Sequence, residues 1–92
     1  MTFSEALEVL NMDGRVQRAG WNGKGMWLAL SPGVTDNPSE KFWSPAIREW
    51  AAKNLVQAIT VRPYIVMYTV DGEIVPWTAS QTDILAMDWT VA

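Results

Sequence analysis

Apolar residues recur at helical spacing at the start of the chain and at strand spacing further on. Phe3, Ala6, Leu7 and Leu10 share one face of a helix predicted over residues 2–12. Thr2 and Glu5 have the spacing of a capping box at its start. Asp13-Gly14 ends it, with Gly14 suited to the left-handed C-terminal position. Strands are expected over 15–18 and 26–30, paired as a hairpin across the glycine-rich turn Gly20-Trp21-Asn22-Gly23-Lys24-Gly25. Residues 31–43 hold two prolines, a glycine and several polar side chains, and read as an exposed loop. Ser44-Pro45 has the form of an N-cap followed by proline at the first helical position. Ile47, Trp50 and Ala51 then make one apolar face of a short helix ending near Lys53-Asn54.

The second half reads mainly as strand. Residues 59–62 predict one, interrupted by Pro63, and 64–70 predict a longer one. Tyr64, Val66, Tyr68 and Val70 fall on one face of it, and Ile65, Met67 and Thr69 on the other. Both faces are mostly apolar, so both should be covered. The N-terminal helix can cover only one, which leaves the second for another subunit. Asp71-Gly72 predicts a two-residue hairpin turn, with 73–75 returning antiparallel and Pro76 ending the pairing or lying at an edge. Ser80 and Asp83 repeat the capping-box spacing and start a helical turn through Met87. Residues 89–91 close as a last strand. The fold class is therefore α+β: an N-terminal helix packed on a small antiparallel β-sheet, with a short middle helix and a short C-terminal helical turn. One domain over 1–92 is expected.

Composition sharpens this picture. In 92 residues, 49% are hydrophobic and six are tryptophan, more apolar material than a small domain easily hides, so oligomerisation is expected. No apolar run approaches the roughly 18 residues that span a bilayer. The first residues lack the basic stretch and cleavage pattern of a secretory signal, so a cytoplasmic location is expected. The absence of cysteine excludes disulfides and thiolate metal sites, and the absence of histidine excludes serine–histidine triads and histidine-bound zinc. A net charge of −3 argues against a broad duplex-DNA footprint. Local charge tells a different story: Arg15, Arg18 and Lys24 are three of only seven basic residues and lie close together. They make either a solvated basic loop or a site for a small anion.

Two tracts carry the candidate chemistry. In the first, Trp21 sits between glycines in a polar turn, where packing alone explains a large ring poorly and stacking on a base explains it well. Trp27, in an alternating strand, reads as core or interface. The glycine spacing matches neither a Walker loop nor a dinucleotide fingerprint. In the second tract, Pro76-Trp77 ends a strand just ahead of the Ser80 helix start. Asp83 has two readings there: it caps the helix by accepting the Ser80 N–H, or it accepts a ribose hydroxyl. Asp88 reads as a structural partner for an arginine. Asp83 and Asp88 are five apart, which on a continuous helix points them more than about 100° away from one another. That spacing builds no acid–base pair, and no nucleophile has an evident activator. A binding module with no catalytic residues, metal or cofactor is favoured over an enzyme.

The helix opening Phe3-Ser4-Glu5-Ala6-Leu7, the turn Arg18-Ala19-Gly20-Trp21-Asn22-Gly23-Lys24 and the terminal tract from Val75 to Trp89 resemble the second type of phage Thoeris anti-defence protein, in order and across essentially the whole chain. The resemblance implies a sponge that binds and sequesters cyclic ADP-ribose isomers made by the TIR-domain protein of the bacterial Thoeris system, so that its NAD-destroying effector stays inactive. It implies a homotetramer in the host cytoplasm with ligand pockets between protomers, and in some members a separate site for cyclic oligonucleotides. Phe3 and Trp21 would then sandwich an adenine, Asn22 would read its edge or bind a ribose, and Trp77, Ser80 and Asp83 would line the same pocket. Arg18 and Lys24 are added from charge, as phosphate partners. The other reading of the tryptophans is a protein-interaction or structural accessory module with no nucleotide ligand.

Overall fold

The computed structural model describes residues 1–21 and 24–92. In chain order the elements are α1 (Phe3–Asn11), β1 (Val16–Arg18), β2 (Trp27–Ser31), β3 (Val34–Pro38), α2 (Pro45–Lys53), β4 (Ala58–Val61), β5 (Tyr64–Tyr68), β6 (Ile74–Pro76), α3 (Gln81–Leu85) and β7 (Trp89–Val91), with 3-10 turns at Ala19–Trp21 and Ser39–Lys41. This is the expected mixed α+β class. The chain forms two compact units, one from Met1–Ser31 with Tyr64–Ala92, the other from Pro32–Pro63.

In the larger unit, α1 begins as its sequence dictates. The Thr2 hydroxyl accepts the Glu5 N–H, and the Glu5 carboxylate accepts the Thr2 N–H at 2.9 Å. Its end differs in one detail from expectation. Asp13, not Gly14, takes the left-handed conformation (φ 63°). Gly14 follows, donating to the Val9 carbonyl at 2.9 Å while Asp13 donates to that of Leu10 at 3.1 Å. Gly14 is needed for space: a Cβ there would lie 2.6 Å from a Val9 methyl carbon.

Five strands pair antiparallel in the order β6-β5-β2-β1-β7. Register then sorts the side chains into faces. Val16 lies opposite Leu28 and Leu28 opposite Met67, on the face that packs against Ala6 and Leu10 of α1. Val16, Leu10 and Leu28 are essentially buried, each worth about 1.5–3 kcal/mol. Ile65 and Met67 pack on this core, so one face of β5 is directed as its alternation predicts. The other face carries Trp27, Tyr68 and Ile74 in one row and Ala29, Val66 and Pro76 in the next. Trp27 stacks on Tyr68, with ring centroids 5.1 Å apart and planes 9° apart, and the Arg15 guanidinium lies 5.2 Å from the Trp27 ring centre. The β5–β6 connection is longer than the expected two-residue turn. Strand pairing stops at Tyr68–Ile74, and Gly72, at φ 82°, donates to the Thr69 carbonyl. Pro76 ends β6 at the sheet edge, where its missing N–H leaves no central ladder bond unmade.

In the smaller unit, the segment expected to be an exposed loop is instead β3 and a 3-10 turn. β3 pairs with β4, with an irregular register between Val34 and Asn37. The polar run Val34–Pro38 hides no alternation because this two-stranded ribbon leaves most of its side chains in solvent. Ser44 caps α2 with Pro45 at its first position, as expected. Phe42 and Ala51 are buried, but Ile47 and Trp50, predicted to share the apolar face with Ala51, are exposed. Leu55 adopts φ 56° just past the end of α2, and Val56 donates to the Ala51 carbonyl.

Candidate functional site

The last strand supplies the organising residue. Trp89 is wholly buried, held by its indole N–H donating to the Asp83 carbonyl at 3.0 Å. Around it stand Phe3 from α1 at 5.4 Å, Trp21 from the turn after β1 at 5.5 Å and Trp77 from the segment after β6 at 6.2 Å between ring centroids. Trp21 and Trp77 meet Trp89 edge-on, at 80° and 85°, the arrangement that matches ring edges to ring faces. Phe3 and Trp77 are 6.3 Å apart. Three of the rings singled out in the sequence, far apart along the chain, thus gather about one tryptophan, each half-buried.

A polar layer lies beside the rings. Arg18 is opposite Trp89 in the β1–β7 ladder. Its Nε donates to Asp88 Oδ1 at 2.9 Å and its Nη1 to Asp83 Oδ1 at 2.8 Å. The second Asp88 oxygen accepts the Gly20 N–H at 2.7 Å, and the Asp88 carbonyl accepts the Ala19 N–H at 3.0 Å. Asp83 also completes the capping box of α3. Its Oδ2 accepts from the Ser80 N–H at 3.1 Å and the Ser80 hydroxyl at 2.8 Å, while its own N–H donates to that hydroxyl at 3.1 Å. Charge-assisted bonds of this length are the strong class of hydrogen bond.

The charges of this layer are mutually fixed. Burial raises the Asp83 pKa, but the Ser80 hydrogen bonds and Arg18 outweigh it, so the carboxyl lies below its ordinary 3.8. Asp88 is lowered by its bond from Arg18 and then by the Gly20 N–H. Arg18 is raised by Asp88 and Asp83. Two carboxylates held ionised in this way are poor general acids or bases near neutrality, where an efficient group has a pKa close to the working pH. Among the described residues no group of three or more carboxylates converges to hold a metal ion.

Asp88 is the arginine partner its sequence position suggested. The convergence of Asp83 with it departs from the divergence that a continuous helix would impose. α3 ends at Leu85, and Ala86 is extended (φ −69°, ψ 148°), which turns the chain so that both carboxylates reach one guanidinium. Arg18, assigned to phosphate from its charge, directs Nε and Nη1 into this cluster, while Lys24 is exposed in the turn. Asn22 lies outside the described residues. In the smaller unit, a separate cavity of about 580 Å³, lined by residues including Asp36, Glu40, Ala51 and Leu55, holds none of the predicted residues.

The Thoeris anti-defense 2-like domain profile matches residues 1–92. Thoeris anti-defense 2 of Bacillus phage SP01 is 38% identical to this chain over 94 residues, covering 99% of this chain and 93% of the relative. Length, order and identity agree from end to end, and the chain belongs to the Thoeris anti-defense 2-like family.

Proposed function

We propose that this protein counters Thoeris defence as a non-catalytic sponge, binding and sequestering a cyclic ADP-ribose isomer in the host cytoplasm. The observation that carries the reading is the gathering of Phe3, Trp21 and Trp77 about Trp89, beside a polar layer with fixed charges. Half-buried rings on a rigid base are stacking platforms for adenine, worth about 1–3 kcal/mol per base. Phe3 and Trp21 take the base, with Asn22 at its edge or on a ribose. Trp77, Ser80 and Asp83 line the same pocket, and the phosphates fall to Lys24 and to the Nη2 of Arg18, whose Nε and Nη1 are engaged by Asp88 and Asp83. Tight binding without turnover suits a site whose carboxylates are held ionised, Asp83 by Ser80 and Arg18 and Asp88 by Arg18 and the Gly20 N–H.

Sequestration at nanomolar affinity corresponds to about −12 kcal/mol, more than two stacked faces supply. The remainder falls to polar contacts and to a second protomer closing the pocket. A homotetramer fits the apolar sheet face of Trp27, Val66, Tyr68 and Ile74, and a single functional module over 1–92 fits the length of the family match. The test is calorimetric titration with cyclic ADP-ribose isomers and with cyclic di- and trinucleotides. Binding of at least one cyclic ADP-ribose isomer, with intact nucleotide recovered after denaturation, is expected; a cleaved product would sink the reading.

One observation favours a second reading, a protein-interaction module. Trp43, just ahead of α2, and Ile47 and Trp50 on it are exposed apolar side chains, with Trp43 at 61% and Trp50 at 55% exposure. Silence across the nucleotide panel would favour it.

A further inference from the structure

We propose that Asp88 is the positioning residue of the ligand site, setting where Trp21 stands and tying that ring to the segment that carries Trp77. The proposal rests on the binding reading for its functional consequence, but the geometry behind it is independent of any ligand. Asp88 holds the Ala19–Trp21 turn at two successive N–H groups, Ala19 through its carbonyl at 3.0 Å and Gly20 through Oδ2 at 2.7 Å. Trp21 is the next residue. From the same carboxylate the path runs through Arg18 to Asp83, and through Asp83 to Ser80 at the start of α3, three residues beyond Trp77. One continuous set of charge-assisted bonds therefore joins the turn that carries Trp21 to the segment that carries Trp77.

Gly20 supplies an independent sign that this contact is close-fitted. A Cβ at Gly20 would lie 2.9 Å from Asp88 Oδ2 and 3.6 Å from Arg18 Nη2. The carboxylate thus occupies the space a side chain would need. A stacking ring must be held within a fraction of an ångström to repay its desolvation, and rings on short turns depend on such supporting bonds. Asp88 acts on Trp21 through Gly20 and Arg18.

The test uses Asp88→Asn, which keeps the shape and an acceptor but removes the charge, in full-length protein labelled with 5-fluorotryptophan. The Trp21 resonance is assigned with Trp21→Phe. Asp88→Asn is expected to shift or broaden the Trp21 resonance while leaving those of Trp43 and Trp50 in place. It is also expected to weaken calorimetric affinity for the cyclic ADP-ribose isomer bound by the wild type about tenfold, with the protein fully folded at the titration temperature. Should Asp88→Asn fail to fold, Gly20→Ala makes the same test by pushing the carboxylate off the turn. An unmoved Trp21 resonance, or unchanged affinity in a variant whose wild type binds, overturns the proposal. If the wild type binds no isomer, the sponge reading fails by itself, and the positioning of Trp21 stands or falls on the resonance alone.

Discussion

The two units of this chain use tryptophan in opposite ways. In the larger, Trp89 is fully enclosed and its ring neighbours Phe3, Trp21 and Trp77 are half-buried, backed by a polar layer in which carboxylates and guanidinium are bonded to one another. In the smaller, Trp43 lies on Phe42 with ring centroids 4.0 Å apart, yet both Trp43 and Trp50 are more than half exposed. The same ring type is thus framed by bonded polar groups in one unit and left open to solvent in the other. On the proposed reading, rings become a binding surface where a bonded polar layer backs them, as Arg18, Asp83 and Asp88 do in the larger unit.

The largest effect expected from breaking this contrast is at Trp89. Trp89→Ala opens a cavity under three rings and removes the bond to the Asp83 carbonyl, which should cost about 3–5 kcal/mol, a large share of the stability of a small domain. Trp50→Ala in the smaller unit should change stability by no more than about 0.5 kcal/mol, as exposed substitutions do. Chemical denaturation of both variants makes the comparison. Similar losses at the two positions would mean that Trp50 is covered in the assembled protein.

Next comes Trp21→Ala, which should abolish nucleotide binding while leaving the oligomer intact, because the ring lies at the edge of the core and not in its centre. Calorimetry reads the first outcome and light scattering the second. Persistent binding would move the stacking role to Phe3 and Trp77.

What the sequence made legible, and what it hid, follows the same division. Both capping boxes, Thr2 with Glu5 and Ser80 with Asp83, were readable because their bonds join residues three apart. The alternation in β5 was readable because Ile65 and Met67 meet a core. The β3–β4 ribbon was not, since a strand such as Val34–Pro38 with solvent on most sides carries no burial pattern to detect. Within the candidate site, the rings could be named from the sequence, but their common centre, Trp89, could not. Arg18, Asp83 and Asp88 converge only because the chain leaves the helix at Ala86, a tertiary fact invisible in residue spacing.

The ionic layer makes a smaller, pH-dependent prediction that sharpens the contrast further. Asp83 and Asp88 have folded-state pKa values below their ordinary 3.8, so on acidification the unfolded chain takes up protons first. The stability they contribute is complete well above that value and is lost as pH falls below it toward the folded values. Denaturant midpoints at pH 7 and pH 3 should therefore differ less in Arg18→Met than in the wild type, because the substitution removes the cation that lowers both groups. An equal acid loss in the variant would place the sensitivity elsewhere.

The smallest effect concerns helix ends, where the units can be compared at matched positions. α1 and α2 both finish with a left-handed residue followed by an N–H bonded back five residues, but the left-handed position holds Asp13 in one and Leu55 in the other. Aspartate tolerates that conformation better than leucine, whose Cβ crowds the following carbonyl at a cost of roughly 1–2 kcal/mol. Leu55 is 88% exposed, so removing its side chain forfeits little burial. Glycine relieves the strain but adds entropy to the unfolded chain, which offsets part of the gain. Leu55→Gly should therefore stabilise by about 0.5–1 kcal/mol, a Tm rise of a few degrees for a domain of this size, and Asp13→Gly should gain less. If Leu55→Gly instead lowers Tm in a concentration-dependent way, the exposed leucine is held against another protomer, and the smaller unit's open apolar surface belongs to the assembly.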